Sequence, residues 1–288
     1  MTPQRLSRIV AAAVLLTLSP LGCSRYASRI MGGQSAGPVV STTDPPVGTQ
    51  TQGVQWIRIA APGMGVMFAA VARPLGTGPF PTIIILHGTH GFGEQYVKLA
   101  RDVSRGGLIA VAPCWFSGGR GAGASFITPI GCPEAPEMPS PSSPAAHQTL
   151  DAIVQAVRAL PGVRPDRIAL FGHSRGGGAT LSYLLAAGTL QAVILNSTGY
   201  LRELDARASE IRVPILILHG TADSPADGGS AFTDIQMARD FEMALRRAGK
   251  QVEATYYEGG HNGIFSSATQ YDDEVHRIVV FLTQRLFN

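Results

Sequence analysis

From Thr82 onward the chain alternates short, wholly apolar runs with stretches of helical period, and this alternation limits its fold more than any other feature. Thr82-Ile83-Ile84-Ile85-Leu86, Leu108-Ile109-Ala110-Val111, Ile168-Ala169-Leu170-Phe171, Ala192-Val193-Ile194-Leu195 and Ile215-Leu216-Ile217-Leu218 show no alternation of polar with apolar residues. Strands of that kind are buried on both faces. Residues 96–104, 147–160, 176–187, 231–248 and 270–286 are predicted helices. In 147–160, Leu150, Ile153, Val154, Val157 and Leu160 fall on one helical stripe. A last strand is expected over 252–258. Two further strands, 54–60 and 64–73, are expected at the sheet edge, joined by the turn Ala61-Pro62-Gly63. The order predicts an α/β protein whose mainly parallel central sheet carries helices on both faces. In such sheets ligands bind beyond the C-terminal ends of the strands.

With 288 residues, 45% of them hydrophobic and 15% charged, one domain over 54–288 can bury a sizeable core. The net charge of +3 is small and no block of like charges occurs, so no nucleic acid partner is expected. Residues 1–23 read as a secretory signal peptide. Arg5 and Arg8 precede an apolar run that is short for a membrane span and closes at Pro20-Leu21-Gly22-Cys23. Export is therefore expected, to the periplasm, the medium or a bacterial membrane. The segment also resembles bacterial lipoprotein signals, in which Cys23 would be lipidated. Gly22 fits that pattern, whereas Pro20 and Leu21 depart from it. A lipid on Cys23 would be the chain's one link to a membrane. Residues 24–53, rich in Ser, Gly, Pro, Thr and Gln, read as a flexible linker. After processing, Cys114 and Cys132 remain; an exported chain meets oxidising conditions, and a disulfide is the expected pairing, with two free thiols as the alternative. Between them begins a stretch rich in Gly, Pro and Ser, 116–146, which reads as a flap over the site or as a surface excursion.

Gly172-His173-Ser174-Arg175-Gly176 matches G-x-S-x-G, a weak signal by itself in a chain with 34 glycines. Its position adds weight, because Phe171 ends a buried strand and a helix starts just past Ser174, as a nucleophile elbow requires. A serine hydroxyl needs a base, and the base needs an orienting acid. Asp223, in His219-Gly220-Thr221-Ala222-Asp223, follows a strand end and is the preferred acid; Asp227 is the runner-up. His261, in Tyr257-Glu258-Gly259-Gly260-His261-Asn262-Gly263, follows the last strand and is the candidate base. The oxyanion donors expected are the backbone N–H groups of Arg175 and of Thr89 in His87-Gly88-Thr89-His90-Gly91, with His90 second to Thr89. His87, His173 and His219 read as structural, and His276 as a surface or packing residue. The Arg175 side chain either attracts a substrate carboxylate or serves structure. Trp115, Phe116 and His90 are candidates for the substrate pocket.

These motifs together resemble the dienelactone-hydrolase-like α/β-hydrolases and the related acyl-peptidases. The likeness spans about residues 54–288 and rests on "LHGTHG", "FGHSRGGG", "LHGTAD" and "YYEGGHNG". It implies the α/β-hydrolase fold and cleavage of small-molecule carboxylic esters without metal or cofactor. Dienelactone hydrolases carry cysteine as nucleophile where this chain has Ser174, which shifts the expectation from dienelactones to general esters. "GHSRGGGATL" is also similar to bacterial cutinases and polyester hydrolases, which carry Met where Arg175 stands. The expected activity is thus that of a serine esterase. An exported acyl-peptidase and a non-catalytic binding protein are the rival readings.

Overall fold

The computed structural model describes residues 37–46, 48–49, 53–119, 125–186, 188–227 and 229–287. The signal segment, Cys23 and most of the stretch read as a linker lie outside the described residues. Among the described residues nine strands form one sheet: β1 (Val39–Thr42), β2 (Gln55–Ala60), β3 (Val66–Ala72), β4 (Phe80–Leu86), β5 (Ile109–Pro113), β6 (Val163–His173), β7 (Ala192–Asn196), β8 (Ile215–Gly220) and β9 (Val252–Tyr257). Their order is β1-β2-β3-β5-β4-β6-β7-β8-β9. The pairs from β1 through β3 to β5 are antiparallel, and every pair from β5 to β9 is parallel. The helices are α1 (Glu94–Ser104), α2 (Pro144–Arg158), α3 (Arg175–Leu185), α4 (Arg202–Ala206), α5 (Ile235–Arg247), α6 (Gly263–Ser266) and α7 (Ala268–Leu286). On the sheet, α1 packs with α7 and α2 packs with α3.

The apolar runs of β5, β7 and β8 are buried at every position. They read as continuous hydrophobic runs because helices and neighbouring strands leave them no wet face. The parallel, helix-covered sheet expected from the alternation is the one observed.

Several element ends differ from the sequence reading by a few residues, and three differences have a plain physical reason. The antiparallel edge is not β2 but β1, which lies inside the stretch read as a linker. Its side chains are mostly exposed, so it is held by backbone pairing of Val39–Thr42 with Ala60–Ile57 and leaves no hydrophobic pattern to read. Helix α5 starts at Ile235 rather than 231, because the Asp234 carboxylate accepts the Gln236 N–H at 2.8 Å and fixes the cap there. Strand β6 runs back to Val163, through the polar Arg164–Arg167 segment, before its apolar part begins.

The described parts of the stretch 116–146 are more firmly tied down than its composition suggests. Ser117 N–H donates to Pro136 O, Ile130 N–H to Phe92 O, and Val66 N–H to Glu134 O. Ile127, Ile130, Cys132 and Ala135 are buried. Cys114 and Cys132 are joined by a disulfide, 18 residues apart, that ties the end of β5 to this stretch. Closing a loop of that length restricts the unfolded chain by about 3 kcal/mol. Replacing both cysteines with serine is accordingly expected to lower unfolding stability by about 3 kcal/mol, read by denaturant titration.

Candidate active site

Ser174 caps α3 with φ 54° and ψ −118°, left-handed backbone in a residue that is not glycine. The strain is held from both sides. Ser174 N–H donates to Asn196 O of β7 at 2.9 Å, and its carbonyl accepts from Gly178. The elbow also presses onto β4. A Cβ at Gly176 would meet Leu86 O at 2.6 Å and His87 O at 2.7 Å, so only glycine lets α3 start this close. A Cβ at Gly88 would come within 3.0 Å of the Ser174 Cβ, which places the loop after β4 beside the serine.

Asp223 and His261 come from the loops after β8 and β9, and backbone bonds zip those loops together. Thr221 N–H donates to Tyr257 O at 2.7 Å and Ala222 N–H to Gly259 O at 2.9 Å. His261 Nδ1–H then donates to Asp223 Oδ2 at 2.8 Å, and Ser174 Oγ lies 2.9 Å from His261 Nε2, placed to donate to it. All three side chains are buried, Ser174 retaining 8% exposure. The expected Ser174, Asp223 and His261 are therefore brought together as a hydrogen-bonded chain. The runner-up Asp227 ends a short 3-10 turn, Pro225–Asp227, and its side chain lies outside the described residues.

Two further groups hold Asp223. His219 Nε2 lies 3.2 Å from Asp223 Oδ2 and 2.7 Å from Thr233 O, and Thr233 Oγ1–H donates to Asp223 Oδ1 at 2.9 Å. Burial alone would push the Asp223 carboxyl up. The hydrogen bonds and charges of His219 and His261 outweigh it and hold the carboxyl at about 2, so it stays ionised. His219 was read only as structural, and its place four residues before Asp223 was the available signal. No local pattern marked Thr233.

The loop after β4 is built on neutral histidines. His87 Nδ1–H donates to Gly88 O at 3.1 Å, while Nε2 accepts the Trp115 N–H at 3.2 Å. Tyr96 OH accepts the Gly88 N–H at 3.0 Å and so donates to His90 Nε2 at 2.7 Å. Burial lowers His87 to about 3 and His90 to about 2, the neighbouring imidazoles adding to the effect at His90. His173 is lowered by burial to about 3. Thr89 and Arg175 line the same cavity as Ser174. The Arg175 guanidinium donates to Thr89 Oγ1 at 3.1 Å and to Pro139 O at 2.8 Å, tying the elbow to the β4 loop and the 116–146 stretch. Its observed contacts are structural ones. His276 is exposed on α7.

Beside Ser174 is a cavity of about 420 Å³. Its walls come from Ser140–Ser142, the α3 face at Gly178 and Ser182, and Leu201, Leu204 and Phe232. Trp115, Phe116 and His90, the pocket candidates of the sequence reading, are not among its lining residues. Trp115 and Phe116 are fully buried, Trp115 donates its indole N–H to His87 O, and both pack against the His87 ring. His90 stacks on Tyr96. Aromatic residues following a strand here fill the space behind the β4 loop rather than the hollow in front of it. Among the described residues no cluster of His, Cys, Asp or Glu is arranged to hold a metal ion.

A buried polar chain runs behind the elbow. His173 Nδ1 pairs with Asn196 Oδ1, Asn196 Nδ2–H donates to Glu274 Oε2 at 2.6 Å, and Gln270 donates to Glu274 Oε1 at 2.7 Å. Burial raises the Glu274 carboxyl to about 8, so it is an uncharged acid at neutral pH. A raised carboxyl stabilises the fold most below the unfolded value, and that contribution is lost as pH rises to about 8. Glu274→Gln is expected to flatten this alkaline limb and to leave the variant more stable than the parent at pH 9, by up to about 5 kcal/mol in denaturant titrations.

The dienelactone hydrolase family model matches residues 67–281. A Bradyrhizobium protein described as "Probable 2-oxo-3-(5-oxofuran-2-ylidene)propanoate lactonase" is 24% identical over 231 residues, covering 74% of this chain and 85% of that protein. Among solved structures, Thermogutta terrifontis esterase 2 phosphorylated by paraoxon aligns with TM-score 0.62 at 16% identity, over 84% of this chain and 97% of that one. Pyrococcus horikoshii acylaminoacyl peptidase aligns with TM-score 0.61 at 15% identity, over 83% of this chain and 42% of that one. At these identities the structural likenesses establish the α/β-hydrolase fold, and the matching family model goes further: the chain belongs to the dienelactone hydrolase family.

Proposed function

We propose that this hydrolase is a serine esterase that cleaves carboxylic esters through Ser174, His261 and Asp223. The observation that carries the reading is the unbroken hydrogen-bonded chain from Ser174 Oγ through the His261 ring to the ionised Asp223. His261 Nε2 takes the hydroxyl proton as Oγ bonds to the ester carbonyl carbon, and Asp223 stabilises the imidazolium so formed. In this reading the backbone N–H groups of Arg175, at the start of α3, and of Thr89 donate to the developing oxyanion, where preorganised donors act most strongly; both residues line the cavity beside Ser174. The intermediate collapses, the alkoxide leaves with the proton from His261, and an acyl-Ser174 ester remains. Water, deprotonated by His261, then releases the acid and restores the serine. Glu274, Asn196 and His173 serve this reading from behind, by fixing the strand end that carries Ser174.

A fluorophosphonate probe is expected to add once, on the peptide containing Ser174, and p-nitrophenyl acetate is expected to be hydrolysed. A protein that takes up no probe and cleaves no ester would instead be a binding protein built on a hydrolase fold. Cleavage of acyl-peptides in preference to esters would favour the acyl-peptidase reading. We also propose that the chain is exported; the Cys114–Cys132 disulfide suits an oxidising compartment. The reading predicts loss of residues 1–23 from the mature protein, measured by mass spectrometry. Lipoprotein processing would instead cut before Cys23, removing residues 1–22 and leaving Cys23 as the N-terminus with added acyl mass in the same spectrum.

A further inference from the structure

We propose that the site takes neutral esters bearing an extended, unbranched apolar chain, which runs from Ser174 past Leu204 and lies across Leu201 and Phe232. The inference rests on the esterase reading of Ser174. It is carried by the continuity of two hollows. The cavity beside Ser174 and an outer groove of about 780 Å³ share Leu201, Leu204 and Phe232 as walls. The groove adds Met237 beside Ala231, Arg202, Glu203 and Arg207, so the two meet as one trough leading away from the serine, with an apolar wall of Leu201, Leu204, Phe232 and Met237.

The trough is built to stay open. Tyr200 N–H donates to Phe232 O at 2.7 Å, which ties the wall after β7 to the wall before α5. Leu204 N–H donates to Leu201 O at 2.9 Å, so the short helix α4 holds both leucines at a fixed spacing. On the floor, a Cβ at Gly178 would lie 3.5 Å from the Pro141 Cβ and 3.4 Å from Gly199 O. Such a Cβ would sit at ordinary contact distance from both.

Two large apolar side chains at the rim are left in water, Leu201 at 37% and Phe232 at 55% exposure. An apolar patch of this kind at the mouth of a pocket gains when a ligand covers it. Three arginines and one glutamate lie along the two hollows. The Arg175 guanidinium is engaged by Thr89 and Pro139, and Arg207 pairs with Glu210 at 2.7 Å. Arg202 and Glu203 bring one charge of each sign to the groove. An apolar chain suits the Leu201, Leu204, Phe232 and Met237 side chains of this lining.

The test is chain-length dependence in two series, p-nitrophenyl acylates and n-alkyl acetates, each from two to ten carbons. In at least one series kcat/KM is expected to rise about two- to four-fold per added methylene until the trough is filled. Phe232→Ser and Leu201→Ser are expected to lower the ratio of long-chain to two-carbon kcat/KM about ten-fold. Both residues are at the surface, and melting temperatures check that the variants fold. A kcat/KM that stays flat or falls with length in both series overturns the inference, as does a ratio that neither substitution changes. In those cases the esterase reading stands if short esters are cleaved and Ser174 takes the probe. A protein that cleaves no ester overturns both.

Discussion

Ser174→Ala is expected to lower kcat on any ester substrate by about 10⁴- to 10⁶-fold while changing stability by less than about 1 kcal/mol. The asymmetry follows from what the hydroxyl touches. Its partner is His261 Nε2, and the elbow itself is held by backbone bonds to Asn196 and Gly178 that alanine keeps. Alanine also has the same Cβ as serine, so the left-handed backbone at 174 costs no more than before. Because Ser174, His261 and Asp223 would act as one unit, His261→Ala should cost about as much, and the double variant little more than either single one. Asp223→Asn leaves a hydrogen-bonding group in place but removes the charge that favours the imidazolium. A loss of about 10⁴-fold is expected there. Full activity in Ser174→Ala would end the assignment. So would a double variant whose losses multiplied.

The second large effect is on stability against acid. Below neutral pH the fold is expected to lose stability at roughly 3 kcal/mol per pH unit, and it should unfold between about pH 5 and pH 3. The cause is three histidines buried in neutral form, His87 and His173 at about 3 and His90 at about 2. A histidine lowered in the native state binds its proton first in the unfolded chain. Its stabilisation is complete above the unfolded value near 6.5 and is lost as pH falls toward the folded value. Three such groups contribute about 4 kcal/mol per pH unit. Glu274, raised to about 8, works the other way between its unfolded value near 4.5 and 8, and offsets about one proton of the three. Below pH 4 its opposition ends and Asp223, lowered to about 2, adds to the loss. The curve should therefore peak near pH 6.5, with a shallow alkaline limb from Glu274 and a steep acid limb from the histidines. Denaturant titrations from pH 4.5 to 9 measure it. Equal stability at pH 6.5 and 4.5 would show that these imidazoles are not held neutral.

These histidines also show where local sequence stops being informative. In the chain they look alike, each beside a glycine at or shortly after the end of a strand. Tertiary contacts separate them: His87 accepts a backbone N–H from Trp115, His219 faces Asp223, and His261 bridges Asp223 and Ser174. Order in the chain selected His261 because the fold class dictates which loops meet above the sheet. Strand β1 was not legible for the opposite reason. It buries almost nothing, and a strand held only by its backbone carries no pattern in its side chains.

The sequence by itself determined the sheet from β2 to β9, the long helices that cover it, the elbow at Ser174 and the two loops that carry Asp223 and His261. Each of these is written in local periodicity or in glycines at a turn, which short-range sterics and hydrophobic burial translate directly into backbone. The tertiary structure alone decided the second support of Asp223 by Thr233, the buried chain from His173 to Glu274, and the trough past Leu201 and Phe232. Those features join residues from separate loops and helices. Their geometry exists only once the core has closed and set the distances between segments that the chain order leaves free.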